Sequence, residues 1–223
     1  SYKDRLLSTA YDRFQGGGAP EIYRGFCSQH DSWLDDFALF VALKEEFKGR
    51  PWSEWPDNLR DREPEALLLA KERLIKRIPK EKFLQYLFSK QWSSLKKYCT
   101  ERGIKIIGDI PIYVVHDSAD VWMHPNLFNL DHEKRPVTVA GVPPDYFSKT
   151  GQLWGNPVYR WEVLRSTGYE WWVKRIAHNL EMFDVVRVDH FRGFMAYWEV
   201  PATEKTAVNG RWTKAPGMDF FSR

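Results

Sequence analysis

The amino-acid sequence predicts an α/β fold with parallel strands. Two β-branched runs, Gly103–Val114 and Asp184–Val188, have the length and composition of strands that are buried on both faces. A segment with helical apolar spacing, Arg160–Met182, leads directly into the second run. The order strand, long loop, helix, strand is that of a right-handed crossover unit in a parallel sheet or barrel.

Helical patterns fill most of the first hundred residues. The apolar spacing predicts an N-terminal helix before a Gly/Pro breaker, a second helix capped by Asp31 or Ser32, and two more over Glu65–Ile78 and Lys82–Arg102. We expect an N-terminal helix and linker over 1–30, a helical subdomain over 31–102 and a strand-containing segment over 103–223. Because the sequence starts at Ser1 and stops in a loop-like segment, we also expect a chain truncated at both ends.

Composition excludes several function classes. The net charge of +3 and the lack of a basic block argue against nucleic acid. No apolar run has membrane-spanning length, and no signal-peptide pattern is present, which favours a cytoplasmic or organellar setting. Two distant cysteines and scattered histidines predict neither a disulfide nor a metal site, and no glycine-rich phosphate loop calls for a cofactor.

A polar cluster follows the second predicted strand. Arg187 and Asp189 are two residues apart and therefore point the same way along a strand, with His190 next in sequence. An arginine beside an aspartate keeps the carboxylate ionised, as a nucleophile requires, although a merely structural Arg–Asp pair fits equally well. Asp109 interrupts the first apolar run where we expect that strand to end. Two carboxylates at neighbouring strand ends suit glycoside chemistry, phosphoryl transfer or, less well, metal binding.

The long segment between the two strands is the best ligand candidate. We expect Val115–Asn156 to be irregular, because it is rich in Pro, Gly, Asp, Asn and aromatic residues. Tyr146, Phe147 and Trp154 can lie flat against sugar rings, and Asn156 can meet sugar hydroxyls. An aromatic loop folded on its own side chains is the alternative.

Three segments resemble a known family: GDIPIYVVHDSADVW (Gly108–Trp122), AGVPPDYFSKTGQLWGNPVY (Ala140–Tyr159) and FDVVRVDHFRGF (Phe183–Phe194). They are similar to the signature segments of the 4-α-glucanotransferases (amylomaltases, or disproportionating enzymes), glycoside hydrolase family 77 in the α-amylase clan. The helical part is similar as well, in WLDDFALFVALKEEF (Trp33–Phe47) and FSKQWSSLKKYC (Phe88–Cys99). The resemblance runs from about Cys27 to the last residue.

The resemblance implies a (β/α)8 TIM barrel with a helical insertion, of which this chain supplies the part around strands three and four. It implies transfer of α-1,4-glucan segments to a glucose or maltooligosaccharide acceptor, with Asp189 as the nucleophile of a retaining reaction and Arg187 preceding it. Asp109 and His190 match further residues of the site. Tyr146, Phe147 and Trp154 match the loop that the family lays over the glucan.

The resemblance also implies partners and a limit. Maltooligosaccharides and starch- or glycogen-derived glucans are the expected partners, with no cofactor, and the plastid is a possible compartment. The family's acid/base glutamate and third carboxylate follow strands five and seven, outside this sequence, and the family position of Glu199 argues against it as the acid. We therefore expect the 223 residues to be inactive alone. An α-glucan hydrolase of the same clan and a non-catalytic glucan-binding protein are the alternatives.

Overall fold

The computed structural model describes residues 2–222, which divide into two compact units, the first ending at Tyr98 and the second beginning at Cys99. The first unit is helical. Its helices are α1 (Tyr2–Gly16), α2 (Glu21–Gln29), α3 (Asp31–Glu46), α4 (Asp57–Arg60), α5 (Pro64–Arg73) and α6 (Ile78–Thr100), the last of which runs into the second unit. Within residues 2–222, no helix is both long and apolar enough to cross a membrane.

The second unit mixes helices and strands. Its strands are β1 (Ile107–Pro111), β2 (Thr138–Val142), β3 (Gln152–Pro157), β4 (Val185–Asp189), β5 (Ala196–Pro201) and β6 (Arg211–Lys214). Its helices are α7 (Ala119–Met123), α8 (Trp161–Ser166), α9 (Glu170–Met182) and α10 (Met218–Phe221). The strands form a two-stranded sheet, β1-β4, and a four-stranded sheet, β3-β2-β5-β6. The α/β prediction is confirmed, although residues 2–222 do not form a closed barrel.

The start of the helical unit differs from the prediction in two respects. The segment expected to be a linker contains α2, which begins after Pro20 because a proline fits the entry to a helix. The predicted cap of α3 is wrong: Asp31 is already helical, and His30 occupies the N-cap without a side-chain hydrogen bond. Aromatic packing joins α1 to α6, where Phe14 and Phe83 have ring centroids 4.6 Å apart.

The boundary between α5 and α6 also moves. Helix α5 ends at Arg73, so the predicted helix over Glu65–Ile78 is too long, and α6 already begins at Ile78. Pro79 lies in the first turn of α6. A proline is tolerated there because the backbone N–H that it lacks would have no partner within the helix.

The parallel pair is confirmed, with a register that the sequence did not predict. Asp109 lies opposite Arg187, and Pro111 lies opposite Asp189. The expectation that the first strand ends at Asp109 is therefore wrong, since Asp109 is the middle residue of β1. Gly108 is required beside it, because a Cβ there would lie 2.2 Å from an atom of the Phe183 ring.

The two faces of this pair differ, which corrects the expectation of strands buried on both faces. Ile107, Asp109, Val185, Arg187 and Asp189 share one face and are exposed. The alternate residues of both strands are less exposed, and α9 packs against this part of the sheet. The exposed face begins apolar and ends charged, because the aspartates and the arginine follow the apolar residues along it.

The long connecting segment is more ordered than expected. It holds α7, whose N-cap Ser118 accepts a hydrogen bond from the Val121 amide, and the two strands β2 and β3. These strands pair antiparallel with each other, and β2 also pairs with β5. The predicted extended piece before Pro201 is confirmed as β5, and the predicted Asn209–Gly210 turn connects it to β6.

The predicted helix over Arg160–Met182 is two helices. It breaks between α8 and α9, where Gly168 and Tyr169 both have a positive φ, of 63° and 61°. This left-handed pair cannot continue a right-handed helix. The break lets Tyr169 and Trp172 join a buried aromatic cluster with Phe194 and Phe220.

Candidate active site

A guanidinium between two carboxylates forms the centre of the candidate site. Arg187 Nη1 donates to Asp109 Oδ2 over 2.5 Å, and Nη2 donates to Asp189 Oδ1 over 2.6 Å. The parallel register explains the geometry, because Asp109 lies directly across from Arg187 while Asp189 lies two residues further along the same strand. The link between Arg187 and Asp109 was not predicted, because Asp109 was expected to end its strand.

All three side chains of this cluster are accessible, with exposed fractions of 58% for Arg187, 57% for Asp109 and 58% for Asp189. Hydrogen bonds to Asp189 and Asp109 raise the pKa of Arg187 above its usual value, so the guanidinium stays charged. Ion pairs this exposed contribute little to stability. Their effect is to hold the carboxylates in position.

Each carboxylate keeps one oxygen available. Within residues 2–222, no side chain or amide donates a hydrogen bond to Asp189 Oδ2, and the same holds for Asp109 Oδ1. Asp189 is the last residue of β4, at the carboxyl end of a parallel pair, where α/β enzymes bind their ligands. An exposed carboxylate oxygen, with its partner oxygen fixed by arginine, has the geometry of a nucleophile.

His190 turns the chain sharply after Asp189. Its φ of 55° and ψ of 43° are left-handed, a conformation uncommon for a residue with a side chain and frequent at functional sites. Burial lowers the pKa of His190, and its Nε2 is buried without a hydrogen-bond partner among the described residues. Gly193 permits the turn, since a Cβ there would lie 2.6 Å from Ile112 Cδ1.

Trp154 is brought to the same place from β3. Its ring meets the His190 ring edge-on with centroids 4.8 Å apart, and its Nε1 donates to Gln152 Oε1 over 3.1 Å. Tyr113, which follows β1, also lies near Trp154, with 6.3 Å between the ring centroids. The structure therefore brings Trp154 against His190, the residue that directly follows Asp189.

Tyr146 and Phe147 lie at the tip of the β2–β3 loop and are 96% and 93% exposed. Their rings meet edge-on at 5.6 Å, and no described contact joins them to Asp189 or Arg187. Asp145 Oδ1 accepts hydrogen bonds from the Phe147 and Ser148 amides, which fixes the turn that presents the rings. The alternative of a loop folded on its own aromatic side chains does not describe this tip, where both rings are exposed.

The Asn156 side chain is bound to the protein backbone. Its Nδ2 donates to the Val114 carbonyl over 2.9 Å, so the amide ties β3 to the segment after β1. The side chain is half-buried. Of the eight predicted site residues, five are therefore connected by contacts or by sequence adjacency (Asp109, Arg187, Asp189, His190 and Trp154), two lie at the loop tip, and Asn156 anchors the β3 backbone.

Glu199 has the environment of a structural carboxylate. It is buried, and although burial alone would raise its pKa, hydrogen bonds from Thr138, Thr213 and Arg211 outweigh this and lower it. The group is therefore ionised and is not placed to donate a proton. Within residues 2–222, no group of three or more His, Cys, Asp or Glu side chains is arranged to hold a metal ion.

Two carboxylates joined through one guanidinium, one of them at the carboxyl end of β4, with aromatic rings nearby, form an arrangement that suits carbohydrate chemistry. Comparison with known proteins gives the family. The profile described as 4-alpha-glucanotransferase, glycoside hydrolase family 77, matches residues 1–223, and the chain belongs to that family.

Individual relatives agree with this assignment. The 4-alpha-glucanotransferase of Aquifex aeolicus (strain VF5) is 52% identical over 222 residues, covering 100% of this chain and 45% of that protein. The 4-alpha-glucanotransferase of Thermus thermophilus is 50% identical over 226 residues, again covering 100% of this chain and 45% of the relative. The chain therefore spans slightly less than half the length of these curated relatives.

A solved structure is similar throughout. Amylomaltase from Streptococcus agalactiae in complex with acarbose superposes with a TM-score of 0.94 at 43% identity, covering 98% of this chain and 44% of that one. Amylomaltase from Corynebacterium glutamicum superposes with a TM-score of 0.73 at 20% identity over 98% of this chain and 28% of that one, a likeness of fold alone.

Proposed function

We propose that this chain carries the nucleophile-bearing part of a retaining 4-α-glucanotransferase site. The observation that carries the proposal is the Arg187 guanidinium bonded both to Asp109 of β1 and to Asp189 at the carboxyl end of β4. Membership of the 4-alpha-glucanotransferase family supports it. The substrates are maltooligosaccharides and glucans derived from starch or glycogen, and the acceptor is glucose or another maltooligosaccharide.

In this reaction, Asp189 Oδ2 attacks the anomeric carbon of a bound glucan. A carbon–oxygen bond to Asp189 forms while the bond to the leaving 4-oxygen breaks, and a general acid protonates that oxygen. The 4-hydroxyl of the acceptor then attacks the same carbon, gives its proton to the same group and releases Asp189. Arg187 orients the Asp189 carboxylate, and Asp109 holds Arg187 from the opposite side.

The remaining predicted residues bind the sugar. Trp154 and His190 form a wall beside Asp189, and Asn156 keeps the β3 backbone in place behind Trp154. Tyr146 and Phe147 provide apolar rings that close over the glucan and exclude water, which favours transfer over hydrolysis. The turn at Asp145 supports this role, because its hydrogen bonds fix the loop tip on which both rings are exposed.

We further propose that β1 and β4 are strands three and four of a (β/α)8 barrel. The exposed apolar residues Ile107 and Val185 support this, since they are the kind of residue that fills a barrel interior. The compartment is the cytoplasm or a plastid. A relative from Solanum tuberosum, 43% identical over 190 residues, is described as chloroplastic/amyloplastic.

A chimera tests the nucleophile. This chain replaces the matching 222 residues of the Aquifex aeolicus relative, and the products from maltotriose are measured. Glucose together with longer maltodextrins is expected, and Asp189→Asn should lower kcat on the order of 10³-fold or more. Asp184→Asn, at the residue immediately before β4, is the matched control and should retain activity within about threefold.

Three results would contradict the proposal. A folded chimera that yields only shortened chains would identify a hydrolase, and one that binds maltotriose without turnover would identify a glucan-binding protein. Asp189→Asn with unchanged turnover would remove the nucleophile role. Separately, we expect no glucose release by the 223-residue chain alone, because neither Asp109 nor Glu199 is placed as a proton donor. Sustained release would show that these residues contain an acid after all.

A further inference from the structure

A cavity lies at one end of the antiparallel sheet. It has a volume of about 250 Å³ and is lined by six residues at the β2, β5 and β6 ends, Thr138, Glu199, Pro201, Asn209, Gly210 and Arg211. None of the residues predicted for the candidate active site lines it. The candidate active site therefore does not account for the residues that line this cavity.

The strand register explains why these side chains meet. Thr138 lies opposite Pro201, and Glu199 lies opposite Arg211. Because residues 199 and 201 share one face of β5, all four side chains lie on the same face of the sheet. The opposite face is apolar, with a core that includes Val139 and Val200. The sheet thus has one apolar face and one face with a charged cavity.

The cavity contains a hydrogen-bond acceptor of fixed orientation. Asn129 Nδ2 donates to Thr138 Oγ1 over 2.7 Å, so the Thr138 hydroxyl directs its own proton to Glu199 Oε1, also at 2.7 Å. Oε1 accepts no other hydrogen bond from the described residues. A carboxylate oxygen has room for two, and Oε1 therefore retains a second acceptor position.

The cavity also contains a donor. Arg211 Nε and Nη2 donate to Glu199 Oε2 over 3.2 and 3.1 Å, and Thr213 Oγ1 donates to the same oxygen over 2.8 Å. Arg211 Nη1 has no partner among residues 2–222, and the side chain is 77% exposed. Asn209 adds an amide oxygen without a described partner, since only its Nδ2 is engaged, with Glu204.

These groups select a neutral ligand with several hydroxyls. Glu199 repels an anion and Arg211 repels a cation, whereas a hydroxyl can donate to Glu199 Oε1 and accept from Arg211 Nη1 at once. Pro201 offers an apolar surface for the C–H face of a ring. The volume lies below that of pockets for drug-sized ligands, which hold roughly 300–1,000 Å³, so one ring fits and a longer chain does not.

We infer that the cavity between Thr138, Glu199 and Arg211 binds a single polyhydroxylated ring, such as one glucose unit. The inference does not depend on the proposed transferase chemistry, because the cavity shares no residue with the candidate active site. A free monosaccharide, the terminal unit of a glucan and a cyclitol present the same hydroxyl chemistry. The experiment distinguishes them.

The test is titration of the ¹⁵N-labelled chain with D-glucose, maltose and myo-inositol, followed by NMR. The Arg211 Nε–H signal and the backbone amides of residues 209–211 should shift on addition of glucose, with a dissociation constant of about 1–10 mM. Shifts with glucose and maltose but not inositol would assign the site to glucans, and equal shifts with inositol would assign it to ring polyols in general.

Two variants establish the cause of these shifts. Arg211→Lys keeps the ion pair with Glu199 but removes the second donor nitrogen, and Arg211→Gln removes the charge as well. Each should raise the dissociation constant for glucose at least fivefold. Arg135→Gln is the matched control: Arg135 is exposed, is paired with Glu133 and lies outside the cavity, so its replacement should leave the constant unchanged.

Asp189→Asn separates the two sites. It should leave the shifts at residues 209–211 unchanged, even if signals from Trp154 and His190 respond differently. If residues 209–211 do not shift with any of the three probes at about 100 mM, well above the expected dissociation constants, the inference is wrong. Shifts that persist undiminished in both Arg211 variants would also overturn it.

Discussion

Glu199 provides a test of how the antiparallel sheet is stabilised. We predict that Glu199→Gln destabilises this sheet by about 2–3 kcal/mol at pH 7, since a hydrogen bond to a charged group contributes roughly 1.5–3 kcal/mol. The variant keeps one oxygen to accept from Thr138 or from Arg211, but its amide nitrogen cannot accept from the other. The loss stays below the 3–5 kcal/mol typical of a broken buried ion pair, because Arg211 is 77% exposed and water can solvate it.

The pKa of Glu199 determines whether this stabilisation rises or falls with pH. Burial would raise the pKa of Glu199, but the hydrogen bonds from Thr138, Thr213 and Arg211 lower it overall in the folded chain. The unfolded chain, with an ordinary glutamate pKa of about 4.3, then binds more protons than the folded chain just below that pH. The stabilisation by Glu199 is therefore complete above about pH 4.3 and is lost as the pH falls through the folded pKa. The difference between wild type and Glu199→Gln should shrink over the same range.

The assay is hydrogen exchange of the β5 and β6 amides, measured with mass spectrometry from pH 7 to pH 3. It reports the local stability of this sheet and does not require the whole chain to unfold in one step. Glu133→Gln is the matched control, because Glu133 forms an exposed ion pair with Arg135 and should contribute less than about 1 kcal/mol. Unchanged protection of β5 in Glu199→Gln, or a difference that is constant across the pH range, would refute the argument.

Two further predictions concern the parallel strands and the histidines. Gly108→Ala should destabilise the chain by about 1–3 kcal/mol in urea denaturation, because its Cβ would overlap the Phe183 ring. The control Gly25→Ala, whose Cβ has nothing within 4 Å, should stabilise α2 by about 0.5–1 kcal/mol. Equal changes in the free energy of unfolding for the two variants would contradict the close contact between Gly108 and Phe183. Burial lowers the pKa of both His116 and His190, so stability should fall as the pH drops from 7 through about 6.5, the usual histidine value, towards the lowered folded values. His116→Asn should remove part of this slope, and an unchanged slope would exclude His116 as its source.

The sequence predicted the parallel strands well because their signals are local. The apolar run ending in Arg187 and Asp189 marks β4 to within one residue, since its charges follow the apolar residues without a gap. The sequence of this run could not show which face of the β1–β4 pair is buried. Val185 and Val186 are equally apolar in sequence, yet they point to opposite sides of the sheet, and Val185 is the more exposed.

The four-stranded sheet was harder to predict because its pairing is distant. Strands β2 and β3 contain Gly141 and Gly155, which normally signal loops, and only contact with β5 makes β2 a central strand. For the same reason the environment of Glu199 was not foreseen, since its partners come from two other strands, β2 and β6. Asp109 was predicted to belong to the site, but its bond to Arg187 depends on a register between residues 78 positions apart.

The Arg187 bridge has a consequence for how this region tolerates change. A guanidinium is a rigid plane with its nitrogens at fixed separations, so it spaces Asp109 and Asp189 by covalent geometry rather than by the packing of surrounding loops. Insertions or substitutions in the aromatic β2–β3 loop should therefore leave the spacing of the two carboxylates unchanged. This loop can vary in sequence and length while the two aspartates keep their separation.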